Sequence, residues 1–256
     1  MGAAAVADLI GLGAEVHVID LKAPASEVAS HQAIDLRDPQ AVGEAVERIG
    51  APVDALFNCA GLAGPPFTGL DVMLVNFAAA RHLTGLVVPL MAAGSAVVSV
   101  SSAGAYGWEQ SVGQVEGLVA TPGYVEAREW CEEHPEVVGE GYLLSKQAVA
   151  LWTMHAAIDL APHGIRVNCT SPGPTDTPMM PSFESYMGKE FMDRFPKPLG
   201  RNSTPEEQAH VLVFLNSSAA SYMTGSNVYV DGGFSAGMLT GRLDFSLLAG
   251  GAPVGA

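Results

Sequence analysis

A tyrosine and a lysine spaced four residues apart carry the clearest chemical signal in this sequence. Tyr142 and Lys146 stand in the segment Tyr-Leu-Leu-Ser-Lys, at the start of a predicted helix over 142–160. Residues i and i+4 of a helix share one face, so the phenol and the ammonium group lie side by side. A free tyrosine has a pKa of about 10, and a nearby positive charge favours its phenolate. Such a tyrosine can exchange a proton with an alcohol or carbonyl oxygen.

Two further polar residues stand in apolar surroundings. Ser102 comes at the carboxyl end of a predicted buried strand over 96–100, where its hydroxyl would face a ligand crevice. The alternative for Ser102 is a serine turn that simply ends the strand. Asn76 interrupts an apolar helix predicted over 72–91, and its alternative is a buried amide whose hydrogen bonds are satisfied.

Two segments rich in small residues and prolines follow predicted strands. The first follows the strand over 55–57, and its small side chains would let a flat ligand approach the backbone. The second follows the strand over 166–169 and offers hydroxyls and backbone groups on a rigid loop. The alternatives are an ordinary strand-to-loop turn and a proline-rich connection. The candidate residues in the two segments are Asn58, Ala60 and Gly61, then Pro172, Gly173, Thr175 and Thr177.

Two aspartates follow strands nearer the start of the chain. Asp20 ends the predicted strand over 16–19, and a carboxylate there accepts hydrogen bonds from a ribose diol while repelling a 2′-phosphate. The alternative is a solvated aspartate at a strand end. Asp35, followed by Leu36, stands in a similar place after a short strand.

Short β-branched runs alternate with longer helical stretches along the chain. Helices are predicted over 3–12, 39–49, 72–91, 142–160 and 205–216, and a further strand over 227–230. This alternation predicts a Rossmann-like, doubly wound parallel sheet in three αβα layers. We expect one domain over 1–236 and a glycine- and alanine-rich tail over 237–256. Residues 103–141 break the rhythm as an acidic insertion, interpreted either as a solvated surface insertion or as a flap over the site.

Composition excludes several classes of function. The net charge of −15 repels phosphate backbones, so no nucleic-acid partner is expected. The three cysteines form no CxxC pair, which is typical of reduced thiols in a cytoplasmic protein. No histidine pair has helical zinc-ligand spacing, so no metal site is expected. The N-terminus lacks a signal-peptide pattern, and no apolar run is long enough to predict a membrane span.

Together these motifs resemble the short-chain dehydrogenase/reductase family, from Gly2 to about Gly233. The 40-residue spacing from Ser102 to Tyr142 is similar to that of bacterial 3α-hydroxysteroid dehydrogenase/carbonyl reductase and related alcohol dehydrogenases. The resemblance implies that Tyr142 is the general acid/base and that Lys146 lowers its pKa and holds the nicotinamide ribose. It further implies that Ser102 orients the substrate oxygen and that Asn76 supports a proton relay through water.

The resemblance also implies a cofactor site. Asp20 would bind the adenosine ribose, and Asp35 with Leu36 the adenine. Asn58, Ala60 and Gly61 would line the cofactor, and the four candidates of the second loop would hold its nicotinamide end. Gly2 matches the last glycine of the family's T-G-x-x-x-G-x-G turn, whereas the preceding strand and glycines are missing. This departure suggests the hypothesis of an N-terminally shortened enzyme, which reading the coding sequence upstream of Met1 would test. A minority interpretation has the tail or a partner chain filling the gap.

The expected function is reversible, NAD-dependent oxidation of a hydroxysteroid or another hydrophobic or aromatic alcohol to its ketone or aldehyde. NADP is the less favoured cofactor because of Asp20. The expected assembly is a homodimer or homotetramer. One alternative is a non-catalytic scaffold or regulatory subunit, because the phosphate-binding turn is missing. A reductase of 3-oxoacyl thioesters is less favoured, and a serine hydrolase lacks its G-x-S-x-G elbow.

Overall fold

Six strands form two separate parallel sheets. The structure is a computed structural model that describes residues 1–243, without the side chains of Gln110, Ser111 and Tyr186. The smaller sheet pairs β1 (His17–Ile19) with β2 (Ser30–Gln32). The larger sheet has the order β3 (Ala55–Asn58), β4 (Ala96–Val100), β5 (Arg166–Pro172) and β6 (Asn227–Val230). Within residues 1–243, no strand pairs with both β1 and β3 to join the two sheets. The predicted Rossmann-like fold without its usual first strand is therefore confirmed.

Twelve α-helices surround these sheets among the described residues. They are α1 (Gly2–Gly11), α2 (Pro39–Ile49), α3 (Gly69–Met73), α4 (Ala79–Val87), α5 (Val112–Val119), α6 (Tyr124–Glu133), α7 (Pro135–Val138), α8 (Tyr142–Leu160), α9 (Met180–Met187), α10 (Lys189–Arg194), α11 (Pro205–Asn216) and α12 (Phe234–Leu239). The predicted starts of α2 and α11 are explained by their caps. The Asp38 side chain accepts from the backbone of Ala41 (3.0 Å), and Thr204 forms a capping box with Glu207.

The helix predicted over 72–91 is present as one continuous helix from Gly69 to Leu90 that changes type along its length. A π-helical turn, Leu74–Ala78, separates α3 from α4, and a 3₁₀ turn, Val88–Leu90, follows α4. Pro89 accounts for the early end of α4, because proline lacks a backbone N–H and disfavours α geometry in the residue before it. The π-helical turn carries Asn76, and such turns often occur at functional sites.

Helices cover both faces of the sheets and continue across the split between them. On one face α1 packs against α11, which lies over β3, β4 and β5. On the other face α2 lies against β1 and also packs against α4, which lies against β3. The main apolar core lies between α8, α5, the π-helical turn and strands β4 and β5. The layer of α2 and α4 therefore connects the two sheets where strand pairing does not.

The acidic insertion over 103–141 forms a packed helical unit. Helix α5 packs against α8, and α6 packs against α3 and the π-helical turn. Its apolar side chains Val115, Leu118 and Cys131 belong to the main core, whereas Glu109, like most of its glutamates, is exposed. The interpretation as a solvated surface insertion therefore describes only its outer face.

The predicted boundary between domain and tail at residues 236 and 237 falls inside α12. Helical hydrogen bonds from Gly237 to Gly233 and from Thr240 to Ala236 continue across it. The rest of the predicted tail, residues 244–256, lies outside the described residues. Among residues 1–243, the helix Gly69–Leu90 is long and apolar enough to cross a membrane, and half of an apolar 18-residue window within it is buried inside the fold.

Candidate active site

The three predicted catalytic side chains meet at the carboxyl edge of the larger sheet. Ser102 follows β4, and Tyr142 begins α8, which lies against β4 and β5. Lys146 is one turn further along α8 and only 5% exposed. Its Nζ donates to the carbonyl of Val100 at the end of β4 (2.8 Å) and lies 5.8 Å from the centre of the Tyr142 ring. The pairing predicted from the i, i+4 spacing is thus present in space.

Ser102 and Tyr142 interact through their hydroxyl groups. The Ser102 side chain opposes part of the rise that burial causes in the pKa of the Tyr142 phenol. Ser102 Oγ also accepts from the backbone N–H of Gly104 (3.0 Å), which fixes its direction at the start of a 3₁₀ turn. The Tyr142 ring meets Phe183 of α9 edge-on, with centroids 5.0 Å apart. Phe183 was missed by sequence reasoning, since no helix was predicted over 180–187.

Burial dominates the protonation of the Tyr142 and Lys146 pair. Desolvation raises the pKa of Tyr142 above its ordinary value of 10, and the influence of Ser102 opposes only part of this rise. Desolvation also lowers the pKa of Lys146 to about 8, because the buried site disfavours the ammonium form. The resemblance implies a Tyr142 pKa lowered by Lys146. The tyrosine pKa is instead raised by burial in this structure.

Asn76 ties the π-helical turn to the strand-end segment and to α8. Its Oδ1 accepts from the Leu62 N–H (2.7 Å), and its Nδ2 donates to the Leu62 carbonyl (3.0 Å) and to Ser145 Oγ (3.0 Å). A Cβ on Gly61 would lie 3.3 Å from Asn76 Oδ1 and 3.7 Å from Lys146 Nζ. Gly61, Asn76 and Lys146 are therefore brought together, and the space above Gly61 is narrow.

Two buried serines that sequence reasoning did not assign hold the catalytic helix in place. Ser101 Oγ donates to the carbonyl of Lys146 (2.7 Å). Ser145 Oγ accepts from Asn76 and donates to the carbonyl of Tyr142 (2.7 Å). The sequence signal for both was adjacency, since each stands next to a predicted catalytic residue.

Asn58 differs from the other candidates because its side chain serves the fold. Its Nδ2 donates to Thr84 Oγ1 (3.0 Å) and to Ser99 Oγ (3.1 Å), which links β3 to α4 and β4. The side chain is 8% exposed, and its Oδ1 has no hydrogen-bond partner. The following residues, Ala60 and Gly61, lie beyond the end of β3 and nearer the catalytic side chains.

The loop over 172–177 is held by close backbone contact and a buried hydrogen-bond network. A Cβ on Gly173 would lie 2.8 Å from Asp231 Cα, so this position requires glycine. Thr175 Oγ1 donates to the Gly173 carbonyl and pairs with Ser203 Oγ, both at 2.9 Å. Pro172 ends β5 beside Val230, and Thr177 Oγ1 accepts from Met179 N (3.4 Å). Gln208, which sequence reasoning missed, donates to Ser203 Oγ and to the Val230 carbonyl, both at 2.8 Å.

The predicted adenosine-binding residues lie at the carboxyl ends of β1 and β2. Asp20 directly follows β1, and its carboxylate accepts from Lys22 N (2.8 Å). Asp35 follows β2 and forms an ion pair with Arg37, whose Nη2 donates to Asp35 Oδ2 (2.7 Å). Leu36 is half-buried against the main core.

These positions fit a dinucleotide along the carboxyl edges of both sheets, as in other doubly wound folds. Lys146 Nζ can donate two further hydrogen bonds, and Asp20 retains a free carboxylate oxygen. The first turn of α1 can bind a phosphate, because its backbone N–H groups have no side-chain cap. At Gly2 this turn lies close to Cys59, which follows β3. Among residues 1–243, no group of three or more His, Cys, Asp or Glu side chains could hold a metal ion.

Comparisons with known proteins agree with this fold. The chain matches the family described as NAD dependent epimerase/dehydratase over residues 1–170, and the one described as enoyl-(acyl carrier protein) reductase over residues 117–235. It is 30% identical to 3-alpha-hydroxysteroid dehydrogenase/carbonyl reductase from Comamonas testosteroni, covering 83% of this chain and 90% of the relative. It is 27% identical to coniferyl-alcohol dehydrogenase from Pseudomonas sp., over 87% and 88% of the two chains.

A solved structure supports the same grouping. The 3-alpha-hydroxysteroid dehydrogenase from Pseudomonas sp. B-0831, crystallised with NADH, matches with a TM-score of 0.78 and 28% identity, over 95% of both chains. Fold, site and relatives together define an α/β oxidoreductase. The chain belongs to the short-chain dehydrogenase/reductase family.

Proposed function

We propose that the protein is an NAD-dependent dehydrogenase that interconverts an apolar alicyclic or aromatic alcohol with its ketone or aldehyde. The observation that carries this proposal is the contact of Ser102, Tyr142 and Lys146 at the end of β4. The relatives that act on hydroxysteroids and coniferyl alcohol support the choice of an alcohol substrate. A cytoplasmic location remains a prediction from the cysteine pattern.

The proposed chemistry divides between the cofactor and the protein. When bound, NAD accepts a hydride from the carbinol carbon. The Ser102 hydroxyl donates a hydrogen bond to the substrate oxygen and orients it toward Tyr142. The Tyr142 phenolate takes the proton of the substrate hydroxyl, and in the reverse direction the phenol returns it to the carbonyl oxygen. The Lys146 ammonium stabilises the phenolate and donates to the nicotinamide ribose.

Asn76 and the serines around it position these groups. Asn76 is 2% exposed and joined through Ser145 to the carbonyl of Tyr142, so it fixes the start of α8. Its location in the π-helical turn, next to Gly61, suits the support of a water that relays protons to solvent. The loop from Pro172 to Thr177 would hold the nicotinamide end of the cofactor. Within this loop, Thr175 is fixed by its hydrogen bond with Ser203.

The choice of NAD over NADP rests on Asp20. Its carboxylate at the end of β1 suits the two hydroxyls of an adenosine ribose and repels a 2′-phosphate. Asp35 and Leu36 would contact the adenine, and the first turn of α1 at Gly2 would face the pyrophosphate.

A cavity lies beside the proposed nicotinamide loop. This cavity of about 550 Å³ adjoins Gly173 and lies at the carboxyl ends of β5 and β6. Its lining mixes apolar side chains such as Leu199 with charged ones such as Lys197 and Glu207, and it does not include the three catalytic candidates, so the choice of an apolar substrate rests on the relatives. A volume of this size suits a ring-containing ligand. We further propose that the protein works as a homodimer or homotetramer.

The test is oxidation of a panel of hydroxysteroids, aryl alcohols and cyclohexanols with NAD or NADP. The reaction is followed by the absorbance of the reduced nicotinamide cofactor. We expect turnover with NAD, and a shift toward NADP in an Asp20→Ala variant. A clear NADP preference in the unaltered chain contradicts the role of Asp20. No turnover with any alcohol, together with no NADH binding, supports the non-catalytic alternative that the split sheet favours.

A further inference from the structure

Arg37 lies where three separate parts of the chain meet. Its Nε donates to both carboxylate oxygens of Asp35 (3.1 Å each), and its Nη2 to Asp35 Oδ2 (2.7 Å). Its Nη1 donates to Asp71 Oδ1 (2.7 Å), at the start of α3. Asp71 in turn caps α3 together with Thr68. One guanidinium thus joins the end of β2 to the helix that leads into the π-helical turn.

The acidic insertion contacts the backbone of Arg37. Tyr124, the first residue of α6, is 6% exposed and donates its hydroxyl to the Arg37 carbonyl (2.9 Å). Its ring meets His82 edge-on, with centroids 5.8 Å apart. The turn before Tyr124 is fixed by Arg81, which donates to the carbonyls of Thr121 and Gly123. The insertion is therefore braced against the segment that follows β2.

We propose that Arg37 is a positioning residue through which the 103–141 insertion sets the adenine end of the cofactor site. This inference rests on the proposed function, because it takes Asp35 and Leu36 as the residues that meet the adenine. The fork geometry of a guanidinium fixes the plane of a carboxylate. Three N–H groups of Arg37, those of the backbone, Nε and Nη2, bond the Asp35 carboxylate. About one of its four acceptor positions is therefore left for a further donor, such as an adenine amino group.

Arg37 acts through Asp35 and Leu36, and not by contact with the reacting atoms, which lie at the end of β4. A loss of this brace should weaken ligands that contain adenosine and leave ligands without it unaffected. A role confined to stability would lower the melting temperature and weaken both kinds of ligand alike. The Tyr124 hydroxyl joins the insertion to Arg37 by one neutral hydrogen bond, so its removal should have a smaller effect than removal of the guanidinium.

The experiment compares binding of NADH, ADP-ribose and reduced nicotinamide mononucleotide to the full chain by calorimetry. Arg37→Ala should weaken NADH and ADP-ribose by about tenfold, as expected for hydrogen bonds to a charged group, with the mononucleotide unchanged. Tyr124→Phe, which keeps the ring and removes the hydroxyl, should weaken the same two ligands by about threefold. The control is Arg128→Ala, which removes an exposed ion pair with Glu132 on the same helix.

Steady-state kinetics give a second readout. The KM for NAD should rise in the Arg37 and Tyr124 variants, whereas kcat at saturating NAD should stay at the unaltered value. Unchanged ADP-ribose binding in both variants overturns the proposal, as does an equal loss for the mononucleotide. If Arg37→Ala does not fold, Tyr124→Phe alone decides between these outcomes. Failure of the unaltered chain to bind ADP-ribose instead overturns the proposed cofactor site, and with it this inference.

Discussion

The two sheets of this protein differ in how their functional residues are held. On the larger sheet, all of β4 and nearly all of β5 are buried, and Lys146 is fixed by a carbonyl inside the fold. On the smaller sheet, every residue of β1 and β2 is partly exposed, and Asp35 is held by the half-buried ion pair with Arg37. The proposed reacting centre therefore depends on buried hydrogen bonds, whereas the proposed adenosine site depends on ion pairs that solvent partly screens.

The largest effect should follow from breaking the reacting centre. In Lys146→Met the ammonium that stabilises the phenolate is lost, so kcat should fall by about 10²–10⁴-fold. NADH binding should weaken as well, because the donor to the ribose is gone. Stopped-flow measurement of NADH formation checks this prediction. A loss below about tenfold would place the catalytic proton transfer elsewhere.

The nicotinamide loop should be intolerant of a single methyl group. In Gly173→Ala the new Cβ would lie 2.8 Å from the Cα atom of Asp231. Because Cα is a backbone atom, no side-chain rotation can relieve this contact. Overpacking of this kind costs about 1–3 kcal/mol of unfolding free energy. The matched control is Gly43→Ala in α2, where a Cβ meets nothing within 4 Å and the helix should gain up to about 1 kcal/mol. Urea denaturation of both variants checks the contrast, and equal stabilities would contradict it.

The buried lysine should leave a mark on stability as a function of pH. Its pKa of about 8 in the folded state is below the ordinary 10.5, so between these values the unfolded chain binds more protons. The Lys146 contribution to the free energy of unfolding should therefore rise from pH 8 to about 10.5. Subtracting the Lys146→Met curve removes the other titrating groups. A flat difference curve would mean that the ammonium is not desolvated.

The smallest effect should follow from weakening the ion pairs of the smaller sheet. The pKa of Asp71 is about 2, lowered by hydrogen bonds from Thr68 and Arg37, so its contribution is present above about pH 4 and lost as the pH falls toward 2. Asp71→Asn should cost about 1 kcal/mol at neutral pH, because the pair is partly exposed and screened. Acid titration of the melting temperature checks the loss. A cost above about 3 kcal/mol would contradict the contrast between the sheets.

Local patterns in the sequence were enough to predict much of the fold and of the reacting centre. Helices α2, α8 and α11 and strands β4 and β6 have their predicted bounds, since capping residues and β-branched runs act locally. The pairing of Tyr142 with Lys146 followed from helical spacing, and the split of the sheets from the missing strand. The helix predicted over 72–91 is present as Gly69–Leu90, whereas its π-helical turn was missed, because apolar periodicity does not reveal such a turn.

Contacts between distant segments could not be read from the sequence. The bonds from Arg37 to Asp71 and from Gln208 to Ser203 join residues whose meeting depends on the whole fold. Phe183 reaches Tyr142 from α9, a helix that carried no sequence signal. The direction of the Tyr142 pKa also depends on burial, which spacing alone does not give.

The most direct test of the central claim is a single-turnover measurement of NADH formation by the unaltered protein and by Tyr142→Phe, with NADH binding measured in parallel. The phenylalanine variant keeps the ring against Phe183 and loses the hydroxyl that moves the proton. We predict a rate lower by about 10²–10⁴-fold with NADH affinity unchanged. A near-normal rate in Tyr142→Phe would contradict the assignment of Tyr142 as the acid/base of this enzyme.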